Sequence, residues 1–134
     1  MTKIAIAAIY DPLTNLVLVG KRKYGKNLDK VPFAFPHFII KNEEATQEFI
    51  DSVKDQTGIE ISVRAIAERI VPSKDPESSL TTYICQPMGG QEKESTEFSA
   101  LAWVPVGKLR QFLGVSLSEG LEKTLKGIAE KNQE

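Results

Sequence analysis

Cysteine, histidine and tryptophan each occur only once in this chain, and that scarcity removes several kinds of chemistry. A lone Cys85 cannot form an intramolecular disulfide, and one Cys with one His leaves no cluster at zinc-ligand spacing. A chain without such bridges suits a reducing compartment, so a cytoplasmic location is expected. Long apolar runs are also missing, and neither a signal peptide nor a transmembrane helix is expected. Charge of one sign is not in excess: 17 Lys and Arg stand against 18 Asp and Glu, for a formal net charge of -1. No global field then draws the chain to nucleic acid or to an anionic membrane. The sequence holds neither a G-x4-G-K-[ST] phosphate loop nor a G-x-S-x-G nucleophile elbow.

What is present suffices for one core. With 134 residues, 41% of them hydrophobic, residues 1–134 are read as a single domain without internal repeats. Residues 4–10 alternate apolar and small side chains, residues 11–15 carry turn chemistry, and residues 16–20 return as a second strand that runs into Lys21 and Arg22. Residues 61–71 and 80–85 also read as strands, and a strand at 101–105 carries Trp103. A short helix follows from Val106 through Phe112. Ser116 to Glu119 has the spacing of a capping box leading into a last helix with Leu121, Leu125 and Ile128 on its apolar face.

The most informative stretch is residues 43–59. Asn42 is a candidate N-cap, Ala45, Phe49, Ile50 and Val53 recur at helical spacing, and Thr57-Gly58 ends the helix with a residue that tolerates positive φ. At about 100° per residue, Glu44, Glu48, Asp51 and Asp55 share one arc opposite Phe49 and Val53. Such an arc normally forms a solvated face.

Read backward from Gly58, this stretch resembles the box of the Nudix (MutT-like) hydrolases, G-x5-E-x7-R-E-U-x-E-E-x-G-U with U apolar. Glu43, Val53, Gly58 and Ile59 match it. Asp51-Ser52 stand for Arg-Glu, Asp55-Gln56 for Glu-Glu, and His37 for the opening Gly. Phe33-Ala34-Phe35-Pro36 resembles the run before the box, with one residue fewer between Pro36 and Gly58. The first hairpin ending in Arg22 and the tryptophan strand before a short helix are similar to the family as well, so the resemblance spans nearly the whole chain. It implies an α/β fold, an α/β/α sandwich with a mixed β-sheet between helices.

For function, the resemblance implies hydrolysis of a diphosphate linked to another group, with Mg2+ or Mn2+ held by carboxylates of the box helix. Of the three positions that would carry metal, only Asp55 keeps a carboxylate; Ser52 and Gln56 supply neutral oxygens. A carboxylate about 4 Å from a unit cation is worth ~4 kcal/mol at an effective dielectric near 20, before desolvation. Losing two such ligands weakens the cation site by several powers of ten.

The favoured expectation is therefore a Nudix-fold protein with a degenerate box, weak or inactive as a hydrolase, that binds a nucleotide-like or phosphorylated ligand or a partner. The alternative is a divergent active hydrolase of a nucleoside diphosphate derivative using Mg2+ or Mn2+. For that alternative Glu43, Asp55 and Glu97 are the catalytic candidates and Asp55, Glu43 and Asp51 the metal ligands. Glu97 is the nearest match to a glutamate that the family uses as base or extra ligand, although its polar, Gly-opened segment also reads as an exposed loop. Arg22, His37 and Phe38 are the ligand-binding candidates. Arg22 lies in a basic run with Lys21, Lys23, Lys26 and Lys30 around Tyr24 that could grip phosphate or form a solvated loop. The resemblance leaves a homodimer open.

Overall fold

The computed structural model describes residues 2–25, 28–41 and 46–132. The elements in chain order are β1 (Lys3–Asp11), β2 (Leu16–Arg22), β3 (Phe33–Ala34), β4 (His37–Ile40), α1 (Thr46–Thr57), β5 (Ile59–Ile70), β6 (Ser79–Gly90) and β7 (Phe98–Pro105). A 3-10 turn (Val106–Lys108), α2 (Leu109–Leu113), a second 3-10 turn (Gly114–Ser116) and α3 (Glu119–Asn132) complete them.

The strands form one mixed sheet in the order β3-β2-β1-β6-β5, with β4 also paired to β1 and β7 to β2. The β1–β6 pair is parallel, from Lys3 opposite Ser79 to Ile9 opposite Cys85, and every other pair is antiparallel. Because β4 is antiparallel to β1 and β5 to β6, the parallel β1–β6 pair makes β4 and β5 run the same way, and α1 crosses between them.

The layers follow from side-chain alternation, since successive residues of a strand point to opposite faces. Ala5, Ala7 and Ile9 of β1, Leu18 of β2 and Cys85 of β6 pack with Phe49 and Val53 of α1. Ala8, Tyr10, Val17, Val19, Ile84 and Val104 pack on the other face with Leu109 and Leu113 of α2 and Leu121, Leu125 and Ala129 of α3. The result is an α/β/α sandwich with two apolar layers.

The last helix is capped two residues later than the capping-box spacing suggests. Ser118 Oγ accepts from the Leu121 N–H at 3.1 Å and donates to the Glu68 carboxylate at 2.8 Å. Leu117 is buried, which leaves Ser116 in the preceding turn. No helix among the described residues is long and apolar enough to cross a membrane.

Candidate functional site

The C-terminal end of α1 is fixed from three sides. Thr57 Oγ1 donates to the Val53 carbonyl at 2.7 Å and accepts from the Ile59 N–H at 3.1 Å, bonding the last helical turn to the start of β5. Gly58 has φ +82° and donates to the Lys54 carbonyl at 2.7 Å. A Cβ there would lie 2.0 Å from the Gln91 carbonyl oxygen, so glycine is needed for close approach as well as for its left-handed backbone. The Lys93 N–H reaches the Thr57 carbonyl at 3.0 Å, so the polar loop after β6 covers the helix end. Next to it Glu92 accepts from the indole N–H of Trp103, and that bond holds the Glu92 carboxyl below the usual range.

Ser52 and Gln56 lie one turn apart on α1, and both are engaged inside the molecule. Gln56 is 7% exposed. Its Nε2 donates to the His37 carbonyl at 2.7 Å and to Ser52 Oγ at 2.9 Å, while its Oε1 accepts from the His37 N–H at 3.4 Å. The amide thus meets the start of β4 as a neighbouring strand would, using both of its N–H groups. Only an amide can do this: a carboxylate offers no proton to the His37 carbonyl and would set anionic oxygen against carbonyl oxygen. The glutamine at this position is a structural clamp between α1 and β4.

The carboxylates of the helix point elsewhere. Glu48, Asp51 and Asp55 are exposed. Asp51 accepts from Gln47 Nε2 at 2.9 Å. Lys54, between them, pairs with Glu60 at 2.8 Å, and that bond, together with the charges of Asp51 and Asp55, raises its pKa. Among the described residues no group of three or more His, Cys, Asp or Glu side chains is arranged to hold a metal ion. Glu43 lies outside the described residues.

Glu97 bonds to the loop that follows β2. It accepts from the Tyr24 hydroxyl at 3.2 Å, which raises the tyrosine's pKa, and its carbonyl accepts from the Lys23 N–H at 3.1 Å. Arg22 staples the same loop: its Nη1 donates to the Val31 carbonyl at 2.9 Å and its backbone N–H to the Pro32 carbonyl at 2.7 Å. A Cβ on Gly25, at φ +124°, would come within 2.3 Å of Arg22 Nη2, so the guanidinium packs directly under the glycine. Lys21, Lys23 and Lys30 stay exposed and form no ion pair among the described residues.

Of the remaining candidates, His37 is exposed at the head of β4, and Phe38, half-buried, packs against the α1 layer. The structure therefore brings Arg22, Tyr24 and Glu97 together in one group and His37, Ser52 and Gln56 in another, and leaves Asp51 and Asp55 on the open face of α1. The clamp role of Gln56 and the Trp103–Glu92 bond carry no signal in the sequence.

No family model and no curated protein matches the sequence. Solved structures do match the fold. A Caenorhabditis elegans Ap4A hydrolase (binary complex) superposes with a TM-score of 0.72 at 13% identity, over 98% of this chain and 99% of that one. A MutT protein from Methanosarcina mazei Go1 gives 0.66 at 15% identity over 99% and 96%. A UDP-X diphosphatase gives 0.70 at 13% over 97% of this chain, which spans 63% of that protein's length. The fold is that of the Nudix hydrolases.

Proposed function

We propose that this chain binds a nucleotide-like or phosphorylated ligand on a Nudix scaffold and is weak or inactive as a hydrolase. The observation that carries this reading is the Gln56 clamp. The Mg2+ or Mn2+ of the hydrolytic mechanism needs several anionic oxygens on this helix. Here the Gln56 amide is committed to the His37 backbone, the Ser52 hydroxyl accepts from that amide, and only Asp55 retains a carboxylate among the three box positions. The donor set does not fit the ion, and no hydrolytic step is derived through it.

Ligand binding is supported by a different part of the molecule. Lys21 at the end of β2 and Lys23 and Lys30 in the loop stapled by Arg22 are exposed, as is Tyr24 at 60%. Cations around an open aromatic face suit a phosphate joined to a flat ring. Ap4A, named for one fold neighbour, is a compound of this class.

Thermal shift with a panel of nucleotides in the presence of EDTA tests the reading. Binding to the native state alone stabilises by about 2.7 kcal/mol at a hundred times Kd. A rise in Tm that is lost in Lys21→Glu/Lys23→Glu is expected, and silence across the panel would count against it. Divalent-dependent product release from dinucleoside polyphosphates, collapsing in Asp55→Asn, would instead establish the hydrolase.

A further inference from the structure

The face of the sheet opposite α1 carries a cavity of about 510 Å³ between the β5–β6 hairpin and the C-terminal half of α3. That volume is in the range of small-molecule sites. Its walls are formed by Ile66, Ile84 and Ile128, with Arg64 from β5 and Lys131 from α3, and among the described residues no carboxylate lines it. Neither cation forms an ion pair among the described residues.

Two features of the chain build this cavity. First, β5 is bulged: Val63 pairs with Cys85 and Ala65 with Ile84, so Arg64 has no partner on β6. The bulge sets Arg64 and Ala65 together opposite Ile84, and Arg64, Ala65 and Ile66, all exposed, border the cavity. Second, the end wall is held by polar bonds. Asn132 Nδ2 donates to the Pro12 carbonyl at 2.6 Å, and the buried Tyr10 hydroxyl donates to Asn15 and also hydrogen-bonds Asn132. These bonds pin the end of α3 to the β1–β2 turn while Ile66 remains 62% exposed across the opening.

We infer that this cavity is a second binding site, for a small amphipathic anion whose apolar body rests on Ile66, Ile84 and Ile128 and whose acidic head lies between Arg64 and Lys131. Two cations with no carboxylate among the described lining residues complement one anionic head, and the isoleucines give an apolar body a dry surface. The site uses nothing from α1 or from the Arg22 loop, so it stands independently of the nucleotide reading.

Fluorescence titration with anilinonaphthalene sulfonate, an aromatic body joined to one anionic head, tests it, with decanoate as competitor. One saturable site per chain, displaced by decanoate, is expected. Arg64→Glu/Lys131→Glu and Ile66→Asp should each weaken it at least tenfold. Lys74→Glu/Lys108→Glu, which changes the net charge equally at exposed positions outside the cavity, should leave it unchanged. Circular dichroism of each variant separates lost binding from lost folding, and all the altered residues except Ile66 are exposed charges. Absence of a saturable site, or equal weakening by the control pair, would overturn the assignment. So would sedimentation as a dimer that Ile66→Asp converts to monomer, because the cleft would then belong to a contact between copies.

Discussion

On one face of the sheet α3 packs through Leu121, Leu125 and Ala129, and its polar bonds sit at its two ends, where Ser118 meets Glu68 and Asn132 meets Pro12 and Tyr10. On the other face α1 packs through Phe49 and Val53 but also buries Gln56 and Thr57 along the contact. Polar bonds hold α3 only at its two ends and its middle packs through apolar side chains, whereas α1 buries its polar contacts to the backbone of His37 and Ile59 within the packed layer. In the proposed reading this is why the box-like helix holds a cation poorly: Ser52 and Gln56, at two of its three metal positions, are turned inward and hold the layer together. Buried polar groups of this kind fix register more than they add net stability.

Substitutions on the two helices sharpen this contrast. Leu125→Ala, at a fully buried position, should have the largest effect, about 3 kcal/mol in urea unfolding, from lost transfer energy and a residual cavity. Gln56→Leu should lose about 2 kcal/mol, because it removes the partners of the His37 N–H and carbonyl. Gln56→Glu separates the clamp from mere bulk. A carboxylate facing the His37 carbonyl is disfavoured when ionised, so its folded pKa lies above the unfolded value. The variant should therefore gain stability relative to wild type as pH falls toward the ordinary carboxylate range, where a proton restores the donor. Equal stability of Gln56→Glu and wild type at neutral pH would break the comparison.

The smallest expected effect lies at the loop over the end of α1. Glu92 has a lowered pKa because it accepts from Trp103, so its contribution is present above the ordinary glutamate range and is lost as pH falls through the lower folded value. Trp103 is the only tryptophan. Its emission should be flat around neutrality and change only below the ordinary carboxylate range, and Glu92→Gln should abolish that transition.

Much of the fold was legible because its signals are local. Alternation in residues 4–10 and 16–20, the helical spacing of Phe49 and Val53, and the Gly58 stop each report structure without reference to distant partners. The side chains at Ser52, Asp55 and Gln56 could be read by type as well. Their use could not be. Gln56 bonds to the backbone of His37, 19 residues away, and any residue but proline at that position would present the same N–H and carbonyl. The strand at His37–Ile40 was hidden inside what the resemblance treats as a box loop, although Phe38 and Ile40 face the α1 layer and His37 and Ile39 face solvent. The bulges of β5 depend on pairing with β6, which a single segment does not encode.

Calorimetric titration of the wild-type chain with Mn2+, alone and with a nucleotide present, tests most directly whether the inward-turned α1 side chains leave a cation any place to bind. No saturable heat from the ion alone at micromolar concentrations is expected, with the same result in Asp55→Asn. A one-to-one, micromolar Mn2+ site in the wild type that disappears in Asp55→Asn would contradict it.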